Sequence, residues 1–311
     1  MISVIIPAKN EAVTLWFTIH AIRMEMDRCS EEPYEIIVVD NGSTDNTKKF
    51  LEDYSIASWV RRIETTDCSG PGPVRSAVAA AAQGDIFVFA DAHVLVSPGF
   101  FARVSSTLRS EIWDRVGSLH FPVAWNGFAT DAFSTNAFST HYQLTLGQNF
   151  WGTNLAGNFQ TLTEISAHGH GCVAMRRDHF LKVGGYHPAQ AGYGGDEVYL
   201  DLKFAMFGFR NYTDPRAYYL HCSQRHMNYV WVNQDVARNN FISAYTLGGM
   251  PWLDKVYASQ LESGYVPEHE LRPAREDALL AGQADREWIE AHARYTIDDV
   301  LAGFKERQVP H

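Results

Sequence analysis

Two short runs, Ile36-Ile37-Val38-Val39 and Ile86-Phe87-Val88-Phe89-Ala90, are apolar at every position. A strand that is apolar on both sides must be covered on both sides, which in a globular chain means a parallel sheet held between layers of helices. Around these runs, strand-like segments at 3–7, 35–40, 59–64 and 86–90 alternate with helix-like segments at 12–28, 46–54 and 74–82. That order is a βαβαβ progression and predicts a doubly wound α/β fold. Ligands of such sheets bind beyond the carboxyl ends of the strands, so residues 7–11, 40–45 and 91–93 are expected to converge.

The sheet is expected to continue between 171 and 219, with a strand at 172–176, a short helix at 178–183, a glycine-rich loop to Gly195 and a helix at 197–207. Residues 126–166 mix Asn, Thr, Ser and Gly with aromatic residues and show no long periodicity, which predicts loops and short strands. Phe133, Phe138, Tyr142, Phe150, Trp151 and Phe159 make this stretch too apolar for disorder. An acceptor-binding surface and ordinary packing beneath a loop both remain open for it. Helical patterns at 233–247, 285–295 and 297–304 close the chain. The expected division is a catalytic domain at 1–230, with halves at 1–95 and 96–230, and a helical extension at 231–311 packed on it.

The formal net charge of −10 gives no electrostatic reason to bind nucleic acid or anionic lipid without specificity. An anionic ligand therefore needs local cations or a metal. Cys29, Cys68, Cys172 and Cys222 have no paired spacing, so neither a zinc ribbon nor a disulfide framework is expected. The first residues lack the pattern of a signal peptide, and no apolar stretch approaches the ~20 residues that span a bilayer. A soluble, cytoplasmic protein with reduced thiols is expected.

Asp91-Ala92-His93 directly follows the apolar run 86–90. A carboxylate and an imidazole there suit a divalent ion with positions open for phosphate oxygens; a turn cap and a surface histidine are the plainer alternative. Asp40-Asn41-Gly42-Ser43-Thr44-Asp45 joins a strand to a helix, so Asp45 or Thr44 can cap while Asp40 either closes the turn or receives a base or ribose. Gly192-Tyr193-Gly194-Gly195-Asp196-Glu197 enters a helix, where its acids either cap or supply a general base. His168-Gly169-His170-Gly171 offers two histidines that are structural, in contact with a sugar, or a second metal site. Asp67, Arg75 and the loop 69–73 are candidates for diphosphate or ribose contact, Arg75 foremost, because a guanidinium matches phosphate.

Taken together, residues 2–11, 36–45, Gly72-Pro73-Val74-Arg75, 84–93, Gly184-Gly185-Tyr186 and 193–197 resemble family 2 glycosyltransferases of GT-A fold. Several are also similar to motifs of polypeptide N-acetylgalactosaminyltransferases. The resemblance covers about residues 2–230 and implies a GT-A type mixed sheet flanked by helices. It implies Pro7, Asn10, Glu11 and Asp40 at the nucleoside, and Asp91, His93 and His221 on Mn2+ or Mg2+. It also places Ala92, Arg75, His170 and the loop residue Tyr229 about the donor, while Arg225 is displaced by one position from the family's pyrophosphate arginine. Asp196 matches the first acid of the family's catalytic pair and Glu197 its base, which leans toward inversion.

The implied activity moves a sugar from a nucleotide-sugar, UDP foremost, to a hydroxyl on a glycan, peptide or small molecule. Retaining transfer, a nucleotidyltransferase and a noncatalytic sugar-binding module are the alternatives. A DNA acceptor is disfavoured by the acidic balance.

Overall fold

The computed structural model describes residues 1–29, 32–65, 70–125, 138–144, 152–222 and 232–307. The first layer of elements runs β1 (Ile2–Ala8), α1 (Ala12–Cys29), β2 (Tyr34–Asp40), α2 (Thr47–Glu52), α3 (Tyr54–Ala57), β3 (Val60–Glu64), α4 (Pro71–Ala79) and β4 (Ile86–Ala90). Next come β5 (Val94–Val96), α5 (Phe100–Leu108), β6 (Val116–His120), β7 (Val123–Trp125), β8 (Phe138–Ser139), β9 (His141–Leu144), β10 (Gly152–Leu155) and β11 (Thr163–Ile165). The chain closes with β12 (Cys172–Arg176), α6 (Arg177–Lys182), α7 (Asp196–Met206), β13 (Arg210–Thr213), β14 (Tyr219–His221), α8 (Asn233–Ser263), α9 (Glu268–His292) and α10 (Ile297–Arg307).

An eight-stranded sheet in the order β11-β13-β6-β12-β4-β1-β2-β3 forms the centre. Its β3-β2-β1-β4 half is parallel, as the fully apolar runs predict. The other half departs from a purely parallel sheet: β12 lies antiparallel to both β4 and β6, and β11 antiparallel to β13. One apolar cluster fills the α1 and α5 side, a second lies under α4 and α6, and both draw on alternate residues of β1, β2 and β4. Coverage on both sides leaves the strand ends as the places where polar side chains can gather.

Three local differences from the sequence reading have plain causes. The helix expected over 46–54 breaks at Asp53, whose extended backbone and side chain cap a new turn by accepting from Ser55 N–H. The helix expected from residue 74 starts at Pro71, where proline fits the first turn. The helix expected at 233–247 continues to Ser263 across a break at Gly249, whose φ of 70° is left-handed. In the described parts of 126–166, short strands form, β9 and β10 pairing as a hairpin from Gly152↔Leu144 to Leu155↔His141.

The C-terminal helices do not build a core of their own. Val198, Tyr199 and Leu202 of α7 share one apolar cluster with Phe241, Leu253, Leu271, Ala278 and Ile289. A polar joint fastens the same contact: Tyr199 donates to Asp285 at 2.9 Å, and the fully buried Lys203 Nζ lies 3.7 Å from Asp285. Burial brings Lys203 down to about 8.

His187, also buried, accepts from Ala189 N–H at Nδ1 and points Nε2 toward Asp285 at 3.8 Å. Burial lowers this imidazole to about 4 despite Asp285. A histidine depressed in the folded state contributes stability that is complete above its unfolded value of about 6.5 and is lost as pH falls toward the folded value. His187→Asn is therefore expected to lose less stability than the parent between these limits, by up to about 1.4 kcal/mol per pH unit, in urea melts at graded pH.

Candidate active site

Asp91 follows the last residue of β4 and is fixed there because its N–H donates to Gly171 O on the neighbouring segment at 2.8 Å. His93 precedes β5, and β5 pairs with β14 so that Val94 faces His221. Cys222 N–H donates to His93 O at 2.8 Å, extending that pairing by one residue. A backbone ladder thus holds His93 and His221 together, their rings edge to face with centroids 4.7 Å apart. The ligand atoms of Asp91, His93 and His221 lie within 4.8 Å of one another, and His221 Nε2 is 3.5 Å from Asp91 Oδ2.

His93 and Asp91 each have a partner that aims them. Glu11 Oε1 lies 3.2 Å from His93 Nδ1, leaving Nε2 for a ligand. Burial lowers His93, but the Glu11 hydrogen bond and the Asp91 and Glu11 charges outweigh it and raise the group. For Asp91, burial acts upward, while the His221 hydrogen bond and the Arg75 and histidine charges hold it below the ordinary carboxylate value. Two imidazoles and one carboxylate at these separations, with a carboxylate behind one histidine, fit a divalent transition-metal ion.

Arg75 is expected at phosphate but lies inside the protein, 2% exposed, donating to Asp91 Oδ1 at 2.7 Å and to His170 O at 3.1 Å. A buried guanidinium there faces the charges of Asp91, Asp196 and Glu197 together. Its position is behind Asp91, where it orients that carboxylate.

The remaining donor-side residues divide similarly. Asn10 has a left-handed φ of 58°, which asparagine tolerates, and its Oδ1 accepts from Thr44 N–H at 2.7 Å. Its own N–H donates to Ser43 Oγ, so it clasps the loop after β1 to the loop after β2. Asp40 is buried, accepting from Ser43 N–H at 3.0 Å and pairing with Arg62 at 3.4 Å. Asp45, one residue ahead of the N-cap Asn46, accepts from Thr47 N–H at 2.8 Å, while Asn46 itself makes no side-chain cap bond. Glu11 is also buried, against His93 and the Thr14 hydroxyl. Pro7 sits within β1 opposite Val39, and Ala92 is buried between the two candidate ligands.

His170, expected near the sugar, is wholly buried: its Nδ1 meets Tyr186 OH at 2.7 Å. Its ring therefore belongs to the interior and only its backbone reaches the site. Tyr229, Arg225, Asp67, Trp151 and residues 126–137 lie outside the described residues, as does the Phe138 side chain.

Glu197, in the first turn of α7, accepts from His170 N–H at Oε1 (2.8 Å) and from Tyr142 OH at Oε2 (3.1 Å). Burial, then the nearby charges of Asp196 and Asp91, pushes it up to about 8. A carboxyl that exchanges its proton near neutrality has the property a general base needs. Asp196 is buried beside Gly72, where an added Cβ would come within 3.0 Å of its carboxylate. That close approach explains why glycine precedes Pro73 on α4. Tyr142 and the internal role of Arg75 carry no sequence signal of their own.

The family description "Glycosyl transferase family 2" matches residues 3–116. The chain is 26% identical over 249 residues to polypeptide N-acetylgalactosaminyltransferase 10 of Rattus norvegicus, covering 76% of this chain and 40% of that protein. The chain thus spans about two fifths of the length of the curated relatives it matches. Among solved structures, GalNAc-T7 with UDP, GalNAc and Mn2+ has a TM-score of 0.66 at 20% identity, covering 89% of this chain and 54% of that one. The mannosyltransferase PcManGT from Pyrobaculum calidifontis, in complex with GDP-Man and Mn2+, has a TM-score of 0.51 at 18% identity, covering 99% and 80%. The fold is GT-A, the matched relatives are named as glycosyltransferases, and the recognition drawn from the motifs agrees with both. No helix among the described residues is long and apolar enough to cross a membrane.

Proposed function

We propose, from the premise of a family 2 glycosyltransferase segment on a GT-A fold, that this chain is a metal-dependent transferase taking its sugar from a UDP-sugar. The observation that carries the reading is the meeting of Asp91, His93 and His221 at one strand end, with Glu197 held across from them on α7. A divalent ion bound there, Mn2+ foremost, would neutralise the diphosphate as it leaves the sugar. This chain's own residues do the rest. Glu11 and Arg75 hold His93 and Asp91 in place. Glu197, in its ionised form, takes the proton of the acceptor hydroxyl. The acceptor oxygen then bonds to the anomeric carbon as the bond from that carbon to the diphosphate oxygen breaks, and the configuration inverts. Tyr142 OH and His170 N–H fix the orientation of the base. Pro7, Asn10, Glu11 and Asp40 shape the nucleoside end of the cleft through the clasped loops, with Ala92 between the metal ligands and Tyr229 assigned to a loop over the donor. The acceptor is a hydroxyl of a glycan, peptide or small molecule met by the segment 126–159.

Retention is the second reading, favoured by the similarity to the N-acetylgalactosaminyltransferases. Proton NMR of the first product formed separates the two, since the anomeric coupling differs between retained and inverted linkages.

Manganese and UDP are expected to bind cooperatively, because the three ligands leave coordination positions for phosphate oxygens while Arg75 is turned inward onto Asp91. Titration calorimetry should find UDP affinity raised at least about tenfold by manganese, a gain of about 1.4 kcal/mol. His93→Ala should remove that gain. Equal UDP affinity with and without the ion would rule out a metal bridge.

A further inference from the structure

Beneath the candidate site lies a second group with ligating chemistry that sugar transfer does not use. His120 ends β6, His170 precedes β12, and Asp201 stands in the middle of α7. All three are fully buried. His120 Nε2 is 3.2 Å from Asp201 Oδ2, and His170 Nε2 is 3.3 Å from Asp201 Oδ1. One ligand atom from each falls within 4.8 Å of the other two. A tetrahedral ion with bonds of about 2.0–2.1 Å separates its neighbouring ligands by about 3.3 Å.

Three further observations bear on its capacity to hold an ion. His170 Nε2 faces Asp201 Oδ1 at 3.3 Å but misses the geometry of a well-formed hydrogen bond, leaving that nitrogen free to take an ion. The other nitrogen of the same ring is held by Tyr186 OH at 2.7 Å, the outer-shell bond that fixes a ligating imidazole. Ser118 Oγ lies 2.7 Å from both His120 Nε2 and Asp201 Oδ1, which brings a fourth polar side chain to the same point. Asp201 also accepts from His168 N–H at 3.1 Å. A carboxylate this deep in the protein requires compensating positive charge.

We propose that His120, His170 and Asp201 hold a second, buried divalent ion of the zinc class, with Ser118 closing the set, separate from the ion at Asp91. Two imidazoles and a carboxylate, with no thiolate, are ligands that Zn2+ takes at bonds of about 2.0–2.2 Å. Because no ligand is exposed, the ion enters as the chain folds. It would tie β6, the loop before β12 and α7 at one point, directly behind Glu197, which the His170 backbone N–H already holds. The proposal stands apart from the sugar-transfer reading and survives if that reading fails.

The test uses the full chain carrying Asp91→Ala and His221→Ala, so that the exposed site cannot contribute metal. The protein is unfolded in guanidinium with a chelator, refolded with or without Zn2+, passed over chelating resin and analysed for metal content. About one equivalent of zinc should remain after refolding with the ion, and Tm should stand roughly 5–10 °C above that of the protein refolded without it. Adding His120→Gln and Asp201→Asn should remove the bound zinc. Should that variant fail to fold, X-ray absorption at the zinc edge of the parent decides instead, with two imidazoles and oxygen expected and no sulfur. Retention of less than about 0.1 equivalent, an unchanged Tm, or a sulfur shell from cysteine would each overturn the assignment.

Discussion

Replacing Asp91 with asparagine is expected to lower sugar transfer at least about 1,000-fold, close to the several kcal/mol that a metal-stabilised leaving group contributes. The amide keeps the size of the side chain and a carbonyl oxygen for Arg75, but it removes the only anionic member of the three-residue cluster. Asp91→Ala should lose activity to the same degree and stability as well, because Arg75 is then left as a buried cation without its closest partner. Asp91 is 26% exposed at the side chain, so that loss should fall below the roughly 3–5 kcal/mol of a fully buried pair. Combining Asp91→Ala with Arg75→Met should recover stability and leave transfer abolished. Initial rates with a UDP-sugar at saturating manganese, alongside urea melts, read the two effects separately. Activity of Asp91→Asn within tenfold of the parent would contradict a metal role for this residue.

Glu197→Gln is expected to reduce kcat at least about 100-fold while the dissociation constant for UDP stays within about twofold, since a general base acts on the transition state more than on the bound donor. The amide can still accept from His170 N–H through its oxygen, so the loop before β12 should keep its place. Tyr142→Phe tests the same assignment from outside: it removes one donor to Oε2 and should cost about tenfold, the effect of a hydrogen bond to a charged group. A large loss in Tyr142→Phe with little in Glu197→Gln would move the chemistry to the tyrosine, and little loss in both would turn attention to Asp196.

The nucleotide-side strands were legible because they are apolar at every position and directly abut polar loops, as at Ile36–Asp40 in sequence and at β4 before Asp91. His221 was legible only through family likeness. What brings it to His93 is the pairing of β14 with β5, a contact between distant parts of the chain that no local pattern contains. Arg75 reads as a phosphate contact because a guanidinium matches phosphate, whereas its burial against Asp91 and the His170 carbonyl is set by contacts between distant segments. The front of α9 escaped detection because its buried stripe, Leu271, Ala274, Ala278 and Gly282, is mostly small residues and gives little apolar contrast. For His170 the sequence leaves structural, sugar-contact and metal roles open in a glycine-flanked loop. The loop packs beneath α7, and only the tertiary fold carries that information.

The strand order has a bearing on how this chain can be divided. β12 comes late in sequence yet lies between β4 and β6, near the middle of the sheet. A fragment ending where the family match ends, at residue 116, would leave the backbone edge of β4 that faces β12 unpaired from Ile86 to Ala90. Such an edge is an open template for another strand. The matched segment thus stops short of the strand that completes its own sheet, and during synthesis the same edge stays bare until residue 176 has been made and β12 has docked.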